Sequence, residues 1–113
     1  MLSWSAETLG IAWNPRSITD PTVDPLLTGG RELVAFVDAA HGGDEEALAT
    51  AREAVREVLD DEATVDAAGV IGNFNQMNRL ADATGIPVGP GSMRRSEPLR
   101  EATGIARFHA HTP

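Results

Sequence analysis

Three asparagines and one arginine, close together in the sequence, are the side chains whose types and spacing could bind a ligand. They are Asn73, Asn75, Asn78 and Arg79. Amides and a guanidinium form hydrogen bonds in fixed directions, so such a cluster could line a polar cavity. The same side chains could instead bond neighbouring helix ends and loops and fix how helices dock. None of them is a nucleophile, so the cluster predicts binding or docking and not catalysis.

The composition removes several kinds of catalytic chemistry. The chain contains no cysteine, which excludes disulfides, thiolate nucleophiles and cysteine–zinc sites. All nine basic residues are arginine, so a Schiff-base lysine is excluded as well. The paired acids at 45–46 and 60–61 lie where helix N-termini favour negative charge, and the glycine pairs lack the strand–loop–helix context of a phosphate-binding loop. No catalytic constellation remains.

The histidines do not predict a metal site. His109 and His111 would point to the same side of an extended segment, an arrangement that can chelate a metal, but two ligands at a chain end are not a site. His41 stands alone beside the Gly42–Gly43 turn. We therefore predict no metal and no cofactor.

Charge and hydropathy limit the partners and the location. The net charge of −8 argues against nucleic acid, because phosphate binding needs a basic face. Residues 1–60 hold 11 acids against 4 arginines, so nearly all of the excess is N-terminal. No apolar run approaches the ~20 residues that span a membrane, and the N-terminus lacks a signal-peptide pattern. We expect a cytoplasmic protein without a membrane segment.

Hydrophobic spacing predicts three main helices. The first runs from Gly30 to Ala40 with Thr28 as its N-cap, and the second from about Asp44 to Leu59. The second has a clean apolar stripe, made of Leu48, Ala51, Val55, Val58 and Leu59. The third begins at the acidic residues 60–62 and ends at Gly85, where glycine and a following proline stop a helix.

The third helix has two distinct sectors on a helical wheel. One is a narrow apolar stripe of Val70, Phe74, Met77 and Ala81, with Ala67 beside it, which we predict to face the core. The other carries Gly69 and Gly72. Glycine costs roughly 1 kcal/mol against alanine inside a helix, so this pair predicts close approach by another backbone.

The two ends of the chain differ from the middle. Residues 1–28 contain three prolines among polar residues and predict an extended arm, which Trp4 and Trp13 would anchor on the same chain or on a neighbouring subunit. A short helix capped by Ser96 and ended by Gly104 is predicted in the tail. The expected organisation is an arm over 1–28 and an all-α domain over 29–113, with three main helices and a short C-terminal one.

The third helix and its surroundings resemble one known family. The stretch from Asn73 to Pro87, with Ala63–Gly72 before it, resembles the C-terminal helix of the carboxymuconolactone decarboxylase family, which includes the AhpD-like alkylhydroperoxidases and the peroxidase-related proteins. The order of elements from Pro25 to Pro87 and the phrase Leu99–Ile105 are also similar to these proteins. The resemblance implies an AhpD-like all-helical fold, present in part, assembled as homodimers, trimers or hexamers.

The departures from this family are as informative as the match. Its peroxidases act through a Cys-x-x-Cys pair with a nearby histidine, and this chain has no cysteine. Its decarboxylases need an N-terminal catalytic segment with no counterpart in Met1–Asp24. No catalytic residue can be carried over. We therefore expect a non-catalytic, self-associating or partner-binding relative. The alternative is an enzyme subunit whose site is completed by a partner chain that carries the nucleophile, with Asn75 and Arg79 as contributors.

The homo-oligomer is most simply a two-fold dimer. Short amphipathic helices with few aromatic residues leave a small core, and oligomerisation commonly covers the remaining apolar surface. We expect the sector of Gly69 and Gly72, or the first helix, in the interface.

Overall fold

The structure, a computed structural model, describes residues 2–105 and 107, with side chains from Ser5 onward. The predicted all-α fold is confirmed: the described residues form helices and no strand. Six α-helices follow one another, namely α1 Leu2–Leu9, α2 Gly30–Gly42, α3 Glu45–Val58, α4 Asp61–Thr84, α5 Pro90–Arg95 and α6 Glu97–Thr103, with a short 3-10 helix at Pro15–Ile18. No helix within 2–105 combines the length and apolar composition needed to cross a bilayer.

The chain forms two compact units. The first contains the residues up to Leu27 together with those from Val88, and the second contains Thr28–Pro87. The C-terminal tail is grouped with that N-terminal segment, and the three main helices form a unit of their own.

Acidic N-caps start the last two helices of the Thr28–Pro87 unit. The Asp44 carboxylate accepts hydrogen bonds from the backbone N–H groups of Glu46 and Ala47, at 3.0 and 3.1 Å. In the same way, the Asp60 carboxylate accepts from the backbone N–H of Ala63 at 2.7 Å. These bonds satisfy donors that have no partner inside the helix. Local chemistry thus fixes where α3 and α4 begin.

The Thr28–Pro87 unit is held together by a small core. Phe36 of α2 is 5% exposed and Val55 of α3 is fully buried, and they are the only buried hydrophobic residues in the described part of the chain. Gly29, the N-cap of α2, has φ 70°, and a Cβ placed there would lie 2.9 Å from Leu59. The start of α2 therefore packs directly against the end of α3. The expected N-cap Thr28 is replaced by this glycine, because only glycine fits both the backbone angle and the space.

The other unit contains structure where an extended arm was expected. Residues 2–9 form α1, which ends at Gly10 with φ 66°, and Pro15 opens the 3-10 helix. The prolines all lie at or beyond residue 15, so nothing in residues 2–9 breaks a helix. Asn14 caps the 3-10 helix by accepting from the Arg16 backbone N–H at 3.1 Å. The arm is therefore partly helical.

A hydrogen bond from a threonine side chain to a backbone carbonyl joins this segment to the tail. The Thr19 hydroxyl donates to the Thr103 carbonyl at the end of α6, at 2.8 Å, and the Asn14 backbone N–H donates to the Pro25 carbonyl at 3.0 Å. The predicted tail helix is present as α6, between Ser96 and Gly104. The tail also contains α5, which was not predicted and which starts at Pro90, a favourable first position for proline.

Candidate functional site

The four predicted site residues all lie on α4, but they do not face one region. At 100° per residue, Asn75 and Arg79 lie on one side of the helix, whereas Asn73 and Asn78 lie on either edge of the apolar stripe. Asn75 is half-buried and the other three are exposed. The structure therefore brings the four together along one helix and not around one cavity.

Asn75 contacts a histidine from another helix. His41, in the last turn of α2, places its Nε2 atom 2.9 Å from Oδ1 of Asn75. Its Nδ1 atom lies 2.7 Å from the backbone carbonyl oxygen of Val37, one turn earlier in the same helix. The imidazole therefore bridges the C-terminal end of α2 to the middle of α4.

Two oxygen atoms around one imidazole favour its charged form. A carbonyl oxygen only accepts, so Nδ1 donates to Val37; with Oδ1 of Asn75 as the second acceptor, Nε2 donates too, which requires the imidazolium. The Val37 carbonyl, the Asn75 amide oxygen and the carboxylate of Asp38 raise the pKa of His41, and slight desolvation opposes them. When the ring is neutral, Nε2 accepts, and the pair persists only if the amide turns to present its NH₂ group.

The remaining members of the cluster make few contacts. The Asn73 amide lies 3.7 Å from the sulfur of Met77, a weak interaction within α4. Asn78 and Arg79 are exposed, and neither bonds any residue among those described. What the structure offers here is one helix-docking bond, made by Asn75, together with unengaged amide and guanidinium groups.

Sequence reasoning considered His41 only as an isolated metal ligand and missed its bond to Asn75. A signal for it exists in the helix lengths. The start of α2 lies against the end of α3, immediately before α4 begins, and His41 and Asn75 each follow about three to four turns later. At a rise of 1.5 Å per residue, the two residues lie at similar distances from the starts of their helices. The contact could be found only after assuming that α2 and α4 start side by side.

The apolar stripe of α4 is not in the core. Val70, Phe74 and Met77 are 56%, 49% and 51% exposed. The prediction that this stripe faces the interior is wrong for the described chain. The face of α4 that is covered carries Thr64, Ile71 and Asn75 instead. Asn75 on this face bonds His41 of α2, and the Thr64 hydroxyl donates to the Asp60 carbonyl at the start of the same helix, so both polar groups on the covered face have partners.

The glycine pair on α4 does not meet a neighbouring backbone. A Cβ built at Gly69 or at Gly72 has no atom of the described residues within 4 Å. No described residue therefore makes the expected close approach at this sector. Both positions are exposed.

No other part of the described structure brings together side chains that could form a binding or catalytic site. A surface depression of about 490 Å³ in the first unit is lined by Arg16, Asp20, Glu101 and Arg107 among others. Its mixture of both charges selects no ligand class. Within 2–105 and 107, no three potential metal ligands converge. His109 and His111 lie outside the described residues, as does the side chain of Trp4.

Comparison of the chain with protein-family models, with curated proteins and with solved structures finds no match.

Proposed function

We propose that this chain is a non-catalytic helical protein that acts through self-association, as a cytoplasmic homodimer. One observation carries the proposal. Phe36 and Val55 are the only buried hydrophobic residues among those described, whereas sixteen large hydrophobic side chains are at least 39% exposed. Scattered exposed hydrophobic residues are normal, but a contiguous apolar patch marks an interaction surface. The patch here lies on α4.

The chemistry of the cluster supports a structural role over a catalytic one. Asn75 joins α4 to α2 through its bond to the His41 imidazole, and no hydrogen bond among the described residues links the four cluster residues to a nucleophilic side chain. We therefore assign Asn75 to helix docking, and Asn73 and Asn78 to the edges of the apolar surface.

We further propose a distant relationship to the carboxymuconolactone decarboxylase and AhpD-like proteins. The support is the helix order and the asparagine- and arginine-bearing α4, which ends at Gly85 before Pro87. In such a relative the redox chemistry is lost with the cysteine pair, and the helical scaffold is retained for assembly.

The oligomeric state tests the proposal directly. Sedimentation velocity of the purified chain, from about 1 to 100 μM, is expected to show a concentration-dependent dimer. Protein interfaces of ordinary size bind in the micromolar range or tighter. A cooperatively folded monomer throughout this range would overturn self-association as the function.

A second measurement tests the absence of catalysis. The pure protein is expected to reduce no organic hydroperoxide, with or without a dithiol reductant, since that reaction needs a low-pKa thiolate and the chain has none. Thiol-dependent turnover would contradict the proposal.

The alternative function, a composite enzyme, draws on the exposed Arg79 and on the same uncovered face. It is favoured if a neighbouring gene encodes a segment with Cys-x-x-Cys and a following histidine. Turnover of hydroperoxide that appears only when the two chains are mixed, and that Arg79→Ala lowers, would establish it.

A further inference from the structure

We propose that α4 pairs in antiparallel orientation with α4 of a second copy of this chain, along a seam formed by Ala67, Val70, Phe74, Met77 and Ala81. The inference rests on the proposed self-association and specifies its surface, its orientation and its occupant. It replaces the glycine sector of α4 as the expected interface.

The spacing of the seam is that of a coiled coil. Its residues are separated by steps of three, four, three and four, and Thr84 continues the series. A repeat of 3.5 residues keeps an apolar stripe facing a single partner helix over its whole length. The α4 helix has 24 residues and is therefore about 36 Å long, and the seam from Ala67 to Ala81 occupies about four of its turns.

Among the described residues, the larger side chains of this surface remain about half exposed, whereas Ala67 and Ala81 are more covered. α2 ends at Gly42, immediately after His41 contacts Asn75, and α4 continues for nine residues past that contact. In this stretch Met77 and Leu80 are 51% and 57% exposed. A helix segment without tertiary packing is marginal in water, so the end of α4 gains most from a partner.

Side-chain sizes along the seam fit an antiparallel pair. With Thr84 counted as its last position, the seam runs from residue 67 to residue 84 and its midpoint lies between Phe74 and Met77. A two-fold axis there places Phe74 of each copy beside Met77 of the other. Val70 then meets Ala81. Each layer combines a larger with a smaller or more adaptable side chain, as close packing requires, and the methionine sulfur can contact the ring. A parallel pair would instead stack two phenylalanines in one layer and two alanines in another.

Charge identifies the second copy as the occupant. The Thr28–Pro87 unit holds twelve acidic residues and four arginines, so most of its faces repel another copy of the same unit. Between Asp66 and Arg79, by contrast, there is no charged residue. The seam is rimmed by the neutral amides of Asn73 and Asn78, which supply an uncharged polar edge. A basic partner would be drawn to the acidic faces of α3 and not to this one.

The area available is close to what a stable dimer needs. Val70, Phe74 and Met77 of the seam, and Leu80 at its edge, are each about half exposed, which amounts to roughly 400 Å² of apolar surface per copy. Two copies contribute about 800 Å², near the apolar share of an interface of ~1,200–1,600 Å². The seam therefore supports a modest dimer without help from other surfaces.

A charge placed in the seam tests its position. Met77→Glu is expected to weaken dimerisation by about a hundredfold in sedimentation equilibrium, because the carboxylate would be buried without a partner. Met77 is half exposed in the single chain, so the fold should persist, which circular dichroism checks. The matched control is Gly72→Ala on the opposite side of α4, expected to leave the dimer unchanged. A dimer that tolerates Met77→Glu, or one that Gly72→Ala dissociates, would overturn the proposed seam.

The absence of cysteine makes the orientation measurable. Val70→Cys and Ala81→Cys chains are prepared separately, mixed and oxidised gently. The antiparallel pair predicts the mixed disulfide between the two variants, since only that arrangement brings these positions within bonding distance. A parallel pair predicts disulfides of each variant with itself, and that result would refute the proposed orientation.

These experiments distinguish a failure of the proposed seam from a failure of the proposed self-association. If the parent chain is monomeric throughout, the proposed function fails and the seam with it. If the parent is a dimer that Met77→Glu does not weaken, self-association stands and only the seam fails. If the parent is monomeric and Val70→Cys reacts slowly with a maleimide, other residues of the same chain cover the stripe, which also overturns the second copy as occupant.

Discussion

Helices α3 and α4 each carry an apolar stripe, and the chain covers only one of them. In α3 the stripe is buried at its centre, where Val55 is fully enclosed, although Val58 near its end is 45% exposed. In α4 the central residue Phe74 is 49% exposed, and its neighbours in the stripe are similar. The difference does not lie in the pattern, since both stripes have helical spacing.

Length and connection explain the contrast. α2 and α3 have 13 and 14 residues and are joined by a tight glycine-containing turn, so they form a hairpin in which each covers the other. α4 has 24 residues; its covered face carries Thr64, Ile71 and Asn75, and Asn75 bonds His41 of the hairpin. Helical periodicity shows that a stripe must be covered, whereas tertiary packing decides whether the same chain covers it.

The contrast predicts that two phenylalanines differ widely in their effect on stability. Phe36→Ala should lower the free energy of unfolding by about 3–5 kcal/mol, as for other buried phenylalanines. At concentrations where the protein is monomeric, Phe74→Ala should cost a minor part of that. Urea denaturation monitored by circular dichroism measures both.

Equal losses for the two phenylalanine variants in the monomer would show that the α4 stripe is buried after all. A Phe74→Ala cost that grows with protein concentration would instead indicate that the stripe is covered in the dimer, because stability of an assembly depends on concentration.

Replacing glycine by alanine should change stability in opposite directions at Gly29, which packs on the end of α3, and at Gly72 on the open side of α4. Gly29→Ala is expected to destabilise by about 1–3 kcal/mol, because its φ of 70° strains alanine and its Cβ would lie 2.9 Å from Leu59. Gly72→Ala should stabilise by up to about 1 kcal/mol, since the space around it is open. Thermal melts of both variants check this. A destabilised Gly72→Ala monomer would mean that this side of α4 has a close neighbour.

The His41–Asn75 bond should make the docking of α4 dependent on pH. The folded state raises the pKa of His41 above its ordinary value of 6.5, so this contribution to stability is present below pH 6.5 and is lost as pH rises through the folded pKa. The parent should therefore lose more stability between about pH 5.5 and pH 8 than His41→Gln does. Asn75→Ala should reduce the same difference. Identical pH profiles for parent and His41→Gln would exclude the bond in solution.

The smallest effect is expected at Arg79. It is exposed and bonds no described residue, so Arg79→Ala should change the free energy of unfolding by no more than about 0.5 kcal/mol. The seam model also places it away from the interface, so the dimer should remain. A large drop in melting temperature, or dissociation of the dimer, would assign Arg79 to docking.

Most helix boundaries could be predicted because local chemistry sets them. The ends of α3, α4 and α6 follow from caps readable in the sequence: Asp44, Asp60, Gly85 and Gly104. The helices α1 and α5 were missed because neighbouring prolines and glycines suggested irregular backbone, although proline is favourable at the first turn of α5. The polar cluster was found as a set of residues, but its division between an inner Asn75 and an outer Asn73 and Asn78 was not.

The sequence by itself determined that this protein is all-α, that α3 and α4 begin at acidic caps, and that no thiol or lysine chemistry is available to it. These properties depend on residue types and on neighbours a few positions apart. Only the tertiary structure decided that Gly29 packs on Leu59, that His41 meets Asn75 and that Phe74 faces outward. Contacts between residues far apart in the chain decide which face a helix turns toward its neighbours. The periodicity within one helix carries no information about those contacts.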